Sequence, residues 1–304
     1  MKIISASKKT RTRTGNKASA SGTVTFKTPS NIPQGVSKEE TELYNIIQLE
    51  FPKKKILRSN RQILNGRELD MYIPENKLAI EYDGVYFHSS AKKDDKFYHL
   101  WKTVECEKRG IRLLHILSDE WELKRPLVID LVRKALGKFR NIKASECYVR
   151  ELSKKEEQVF LDSSHLLGDL KNSILCISLQ YDNNTVMCIS FTKQDNDWYI
   201  ERIAYRRDIL VENGFKTILE YFFGKYFEDT NLFCKVDRRF ESVQDLRENN
   251  FLEISPTNPT ATYTKDFVHR YKESDFQKFD EATLLKNGWS KLYDCGCRVF
   301  VYKK

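Results

Sequence analysis

The 304-residue chain has no apolar run approaching the eighteen or so residues that a membrane-spanning helix needs. Its N-terminus is basic but has no apolar segment behind it, so neither a membrane anchor nor an export signal is read there. The seven cysteines (Cys106, Cys147, Cys176, Cys188, Cys234, Cys295 and Cys297) are odd in number and scattered through apolar stretches, which argues against a disulfide framework. Cys295 and Cys297 form the one close pair, and no second pair stands at a spacing that would complete a zinc site. Acid is missing altogether from residues 1–36, which hold Lys2, Lys8, Lys9, Arg11, Arg13, Lys17 and Lys27. Seven of the nine excess positive charges therefore sit in this Ser- and Thr-rich tail, which is too polar to build a core and is expected to be drawn to polyanions. A merely solvated tail is the alternative.

What is present is enough apolar residue, 40% of the chain and 12% aromatic, to build two ordinary domains. Ser37, followed by Glu39 and Glu40, reads as the N-cap of a helix that ends near Pro52. Strands are expected over 56–63, 68–73 and 78–82, with a hairpin turn at Asn65-Gly66 and another turn at Pro74–Asn76. A helix over 94–109 closed by Gly110, a buried strand over 111–117 and a helix from Pro126 to Leu136 complete a mixed α/β domain, residues 37–143. Residues 138–146 read as a linker. Beyond them, helices near 154–161 and 212–226 and strands near 173–181, 185–192, 197–204, 231–236 and 298–303 describe a second α/β domain, residues 144–304. There is no internal repeat.

The chemistry concentrates between Glu68 and His88. A turn at Pro74–Asn76 places Asp70 and Glu81 on neighbouring strands, and alternation puts Glu68 with Asp70 and Glu81 with Asp83 on common faces. Packed carboxylates repel and lose hydration, so a cation is expected among them, and oxygen donors suit Mg2+, with Mn2+ able to substitute. Such an ion with an activated water suits hydrolysis of a backbone phosphate, with His88 or Asp83 as base. The alternative is a hairpin whose acids face solvent, paired with Lys77, Arg67 or Lys92. Against it, Glu81 stands inside the otherwise apolar run Leu78–Tyr82, where a charge needs a reason.

These motifs, with Tyr98-His99-Leu-Trp-Lys102, Gly110-Ile-Arg-Leu-Leu-His-Ile and Asp119-Glu-Trp121, resemble phage-encoded homing endonucleases whose nuclease domain belongs to the PD-(D/E)xK superfamily, close to its very-short-patch-repair branch. The resemblance covers roughly residues 37–137. It implies a restriction-endonuclease-like domain, site-specific cleavage of double-stranded DNA, a homodimer to cut both strands, and a bacterial host cytoplasm. It implies Asp70 as central metal ligand, with Glu81 or the Tyr82 carbonyl as a second, and Asp83 and His88 as water-activating groups. Leu69 replaces the usual proline, and Asp83 stands where the superfamily's lysine is expected, so His88 or Lys102 would have to take over its role.

Residues 144–304 also resemble the C-terminal region of such nucleases, and their order of elements is similar to an acetyltransferase-like topology. That fold grips the pyrophosphate of acetyl-CoA with Arg/Gln-x-x-Gly-x-Gly/Ala at a helix start. Here the stretch is Val211-Glu-Asn-Gly214-Phe-Lys216, with Val211 for the polar residue and Lys216 for a small one. A DNA-recognition role is therefore expected of this half, with Arg238 and Arg239, beside Lys8, Lys9, Arg11 and Arg13 of the tail, contacting phosphates. A non-catalytic nucleic-acid-binding protein and an acyltransferase stand as alternatives.

Overall fold

Ser37 caps the first helix as its spacing predicts. Its hydroxyl accepts from the Glu40 amide at 2.9 Å, and α1 runs Lys38–Glu50. The computed structural model describes residues 37–303 apart from 93, 229, 277 and 278, so the tail residues Lys8, Lys9, Arg11 and Arg13 lie outside the described residues. Asn65 and Gly66 take the positive φ values, 50° and 99°, that a tight hairpin requires, and join β1 (Leu57–Leu64) to β2 (Arg67–Ile73). A 3-10 turn at Pro74–Asn76 leads into β3 (Leu78–Asp83), followed by α2 (Val85–His88), α3 (Tyr98–Glu107), β4 (Arg112–Leu117) and α4 (Ser118–Ala135). The helical path of α4 breaks at Lys124 (φ −133°), so the helix expected from Pro126 is preceded by a further helical stretch starting at Ser118.

The first sheet has the order β1-β2-β3-β4, antiparallel except for the parallel β3–β4 pair. One face packs Met71, Ile73, Ile80, Leu114 and Ile116 against Leu43 and Ile47 of α1 and Trp121, Val128 and Val132 of α4. Alternation sends Ala79 and Leu113 to the other face, against Cys106 of α3. Glu81, Asp83 and His115 share that second face. This is how a single strand can bury its apolar residues on one side and deliver carboxylates to α3 on the other.

The chain continues through β5 (Arg140–Lys143), β6 (Tyr148–Glu151), α5 (Lys154–Ser164), β7 (Leu175–Tyr181), β8 (Asn184–Gln194), β9 (Asp197–Tyr205), β10 (Ile209–Glu212), α6 (Gly214–Lys225), β11 (Asn231–Asp237), α7 (Gln244–Glu248), β12 (Leu252–Ile254), β13 (Ala261–Thr264), β14 (Tyr271–Lys272), α8 (Glu281–Lys286), β15 (Ser290–Tyr293) and β16 (Cys297–Lys303). The segment read as a linker instead supplies β5, which pairs in parallel with β10 and buries Ile142. Seven strands form the second sheet, in the order β12-β16-β11-β9-β8-β7-β6, with β9–β11 as its parallel pair. On it lies α6, whose Phe222 stacks on Phe191 with ring centroids 4.4 Å apart. Gly214 opens α6 because the helix approaches β8 closely: a Cβ there would lie 2.7 Å from Met187 Sδ. A three-stranded sheet, β14-β13-β15, completes the chain's C-terminal part. The described residues are mixed α/β throughout, and no helix among them is long and apolar enough to cross a membrane.

Candidate functional site

The pairing of β2 with β3 stops at Met71–Ile80, and beyond it side chains replace the backbone ladder. The Tyr82 amide donates to Asp70 Oδ2 at 2.8 Å, and the Asp70 amide donates to Glu81 Oε1 at 3.3 Å. The other Glu81 oxygen, Oε2, is held by the Lys102 ammonium, which α3 brings down onto β3. Asp70, Glu81, Tyr82 and Lys102 are thus brought together. Glu68 is not part of the group and pairs with Arg61 at 2.6 Å near the surface. Burial, reinforced by the Glu81 charge, pushes the Asp70 carboxyl up to about 9. Burial also raises Glu81 and Lys102 opposes it, while Glu81 outweighs the burial of Lys102 and holds its ammonium well above the usual lysine range.

Two residues further along β3, Asp83 meets three histidines. His115, directly across from Glu81 in the β3–β4 register, donates through Nδ1 to Asp83 Oδ2 at 2.7 Å. His99 Nδ1 donates to the Tyr293 carbonyl at 2.9 Å, which leaves Nε2 as the lone-pair nitrogen, 2.9 Å from His88 Nδ1. Both nitrogens face Asp83 Oδ1, at 3.5 Å from His88 and 3.6 Å from His99. Asp83 is 1% exposed, and Oδ1 has no hydrogen-bond partner among the described residues. Burial pushes Asp83 up, but the His99, His115 and His88 rings outweigh it and hold the carboxyl well below its ordinary range. Burial, only partly opposed by Asp83, brings His99 down to about 4, so this ring is neutral at pH 7. His115 is held well above its ordinary range, because Cys295 and Asp83 overcome its burial.

His99 and His115 carry as much of this geometry as His88 does, yet they enter the sequence analysis only as letters of the Tyr98–Lys102 and Gly110–Ile116 motifs, with no role at the site. A signal existed for His115, which stands in a β4 whose neighbours fix its face. None existed for Tyr293 and Cys295, which reach the cluster from about 190 residues away.

Arg238 and Arg239 lie at the junction of the two halves. Arg239 is 4% exposed and bridges Glu120 at 2.8 Å and Asp237 at 3.0 Å, while Arg238 faces Glu107 at 3.5 Å. The guanidinium of Arg239 is thus spent on internal carboxylates rather than presented outward. The Arg239 carbonyl also accepts from the His115 amide, so the same loop braces β4.

A second opening lies where the two halves meet. The β9–β11 pairing extends over three residue pairs, Trp198–Leu232 to Ile200–Cys234, and then ends. Beyond it lies a cavity of about 570 Å³, lined by Glu201, Arg202 and Ile203 of β9, by Lys235 and Val236 of β11 and by Asn213 at the start of α6, with Leu127, Asp130 and Lys134 of α4 and Arg112 of β4 supplying its other wall. Arg202 is 8% exposed; its Nη1 donates to the Glu201 carbonyl, and its Nε has no partner among the described residues. Lys216, expected to crowd the α6 N-terminus, projects into solvent towards Glu220.

No family model and no curated protein matches the chain. Several solved structures match it in part. Acetyltransferases are among them. A GNAT-family acetyltransferase from Bacillus cereus is 15% identical, with a TM-score of 0.34, over 52% of this chain and 97% of that one. A Bacillus subtilis acetyltransferase solved in complex with CoA is 10% identical, with a TM-score of 0.35, over 52% and 99%. The ribosomal-protein-S18-alanine N-acetyltransferase of Escherichia coli is 8% identical, with a TM-score of 0.33, over 52% and 93%. Likeness at this level carries no argument about activity.

The expectations of a phage-type homing endonuclease, of a PD-(D/E)xK domain of the very-short-patch-repair kind and of Mg2+ as cofactor are nevertheless corrected here. The matching structures named above are acetyltransferases, not nucleases, and one of the three was solved with CoA. The chain itself supplies a physical reason at the expected magnesium site. Both Glu81 oxygens and Asp70 Oδ2 are already engaged by Lys102 and by backbone amides, and burial favours the protonated form of both carboxyls. The carboxylate pair that a hard cation was expected to neutralise is neutralised from within.

Proposed function

We propose that the chain binds an acyl thioester of the coenzyme A class in the opening between β9 and β11 and transfers its acyl group, with residues 144–304 forming an acetyltransferase-like unit. The observation that carries this reading is the parting of two parallel strands around a cavity of about 570 Å³. Where β9 loses its neighbour, its backbone is left to pair with an extended, amide-bearing ligand, as strand edges do. The start of α6 stands at the same cavity without a side-chain cap, and free amides at a helix N-terminus favour phosphate. The exposed course of Lys216 leaves that approach open, and the unpartnered Arg202 Nε supplies a buried donor for an anionic or carbonyl group. Together these features suit a long ligand with a phosphate at one end and a polar reactive group at the other.

The test is calorimetric titration with CoA and acetyl-CoA, followed by thiol release from acetyl-CoA with a panel of amines as acceptors. Saturable binding is expected, weakened roughly tenfold or more in Arg202→Met, since a hydrogen bond to a charged group contributes about 1.5–3 kcal/mol. Absence of saturable binding by either compound overturns the reading. Double-stranded DNA is proposed as a partner of the tail on separate grounds, the seven basic residues and no acid before residue 37.

A further inference from the structure

We infer that Asp83, His88 and His99 form a binding site for a divalent transition-metal ion of the zinc class. His88 Nδ1, His99 Nε2 and Asp83 Oδ1 mark a triangle with sides of 2.9, 3.5 and 3.6 Å. One point therefore lies about 2.0 Å from all three atoms, the length of zinc bonds to imidazole nitrogen and carboxylate oxygen (about 2.0–2.2 Å). An ion slightly above that plane takes three protein ligands and keeps at least one position for water or another ligand, the pattern of two imidazoles and a carboxylate found at open zinc sites.

Three further features fit. The Asp83 oxygen aimed at this point is buried and otherwise unpartnered, a condition that is costly unless something pairs with it. The Tyr293 carbonyl fixes His99 in the tautomer whose Nε2 lone pair faces the point. His115 orients the carboxylate through its second oxygen, as outer-shell groups of metal sites do. Imidazole donors select zinc, cobalt, nickel or iron(II) over magnesium. The site shares no ligand with Asp70, Glu81 or Tyr82, and it stands whether or not the β9–β11 opening binds a thioester.

The experiment uses the full-length chain, stripped with a chelator and dialysed against Zn2+ or Co2+, with bound metal measured by elemental analysis and Co2+ geometry read from its visible spectrum. One ion per chain is expected, with the absorption of a low-symmetry, tetrahedral-type centre. His99→Ala and Asp83→Asn should abolish stoichiometric binding, and His115→Gln should weaken it roughly 10–100-fold, as loss of an outer-shell partner does. Melting of each protein in chelator controls for folding, since metal should raise the melting temperature of the wild type and not that of His99→Ala. The inference is overturned if the wild type binds no stoichiometric metal, or if His99→Ala keeps wild-type affinity. It is equally overturned if binding survives in His99→Ala but is lost in Cys295→Ser, which places the ion on sulfur.

Discussion

Replacing Lys102 by Met tests the central claim about the first site, that Glu81 is held inside the protein by one cation. The Lys102 and Glu81 side chains are 4% and 3% exposed. Methionine keeps most of the volume, so the cost is electrostatic, and removing one partner of a buried pair costs about 3–5 kcal/mol. At about 2–4 °C of melting temperature per kcal/mol for a chain of this size, the loss is roughly 6–20 °C. The penalty depends on pH in a definite direction. Burial already raises Glu81, and without Lys102 nothing of comparable strength opposes it, so its folded pKa moves further above the unfolded value of about 4.3. A group raised on folding stabilises at low pH and loses that contribution as pH rises through the folded pKa. The variant should therefore be worst near pH 8 and approach the wild type towards pH 5, by at most about 1.4 kcal/mol per unit. Adding Glu81→Gln, which removes the stranded charge, should restore most of the loss. Thermal melts of the three proteins from pH 5 to 8, all in chelator, decide the matter. A Lys102→Met protein within about 1 kcal/mol of wild type at pH 8, or one whose deficit does not shrink at pH 5, refutes the buried-pair account.

Two other predictions follow from charges whose partners are now known. Asp70 sits at about 9 when folded against about 3.9 unfolded, so its contribution to stability is present below pH 4 and lost as pH rises towards 9. Asp70→Asn keeps an acceptor for the Tyr82 amide and should raise the melting temperature at pH 8 while changing it little at pH 4; equal shifts at both pH values would contradict the assignment. Arg239→Met should destabilise by about 3–5 kcal/mol in urea unfolding, because it strands Glu120 and Asp237. It should leave the salt dependence of DNA binding untouched, whereas removing residues 1–36 should lower the slope of log affinity against log salt by up to about 6, the share of seven cations. If Arg239→Met flattens that slope as well, the arginine reaches phosphate after all.

Local signals in the chain were sufficient for much of the fold, because they act over a few residues. Ser37 capping α1, Asn65-Gly66 turning a hairpin and Gly110 at φ 67° after α3 each follow from one residue's conformational preference. The juxtaposition of Asp70 and Glu81 was legible for the same reason, since a single short turn separates them. The linker was misread because polarity alone does not distinguish an edge strand from a loop, and the partner of β5 is some 70 residues away. The small sheet β14-β13-β15 was missed because its strands are two to four residues long, too short for alternation to register.

The larger error concerned what a cluster of acids means. Carboxylates packed on one strand do require neutralisation, and the charge of Glu81 inside an apolar run favoured a cation from solvent over pairing at the surface with Lys77, Arg67 or Lys92. The structure supplies it from the next helix instead. Lys102 and His99 lie three residues apart on α3, so the face that brings the ammonium to Glu81 also brings an imidazole to Asp83, and β4 adds His115 beside it. Neutralisation is thus divided along β3: an internal ammonium at Glu81, and imidazoles at Asp83 that leave one oxygen unpartnered. That division moves the candidate ion from the oxygen-rich end of the strand to its nitrogen-rich end, and it changes which metals the site should select. A magnesium titration therefore addresses the wrong pair of residues, and a zinc or cobalt titration the right ones.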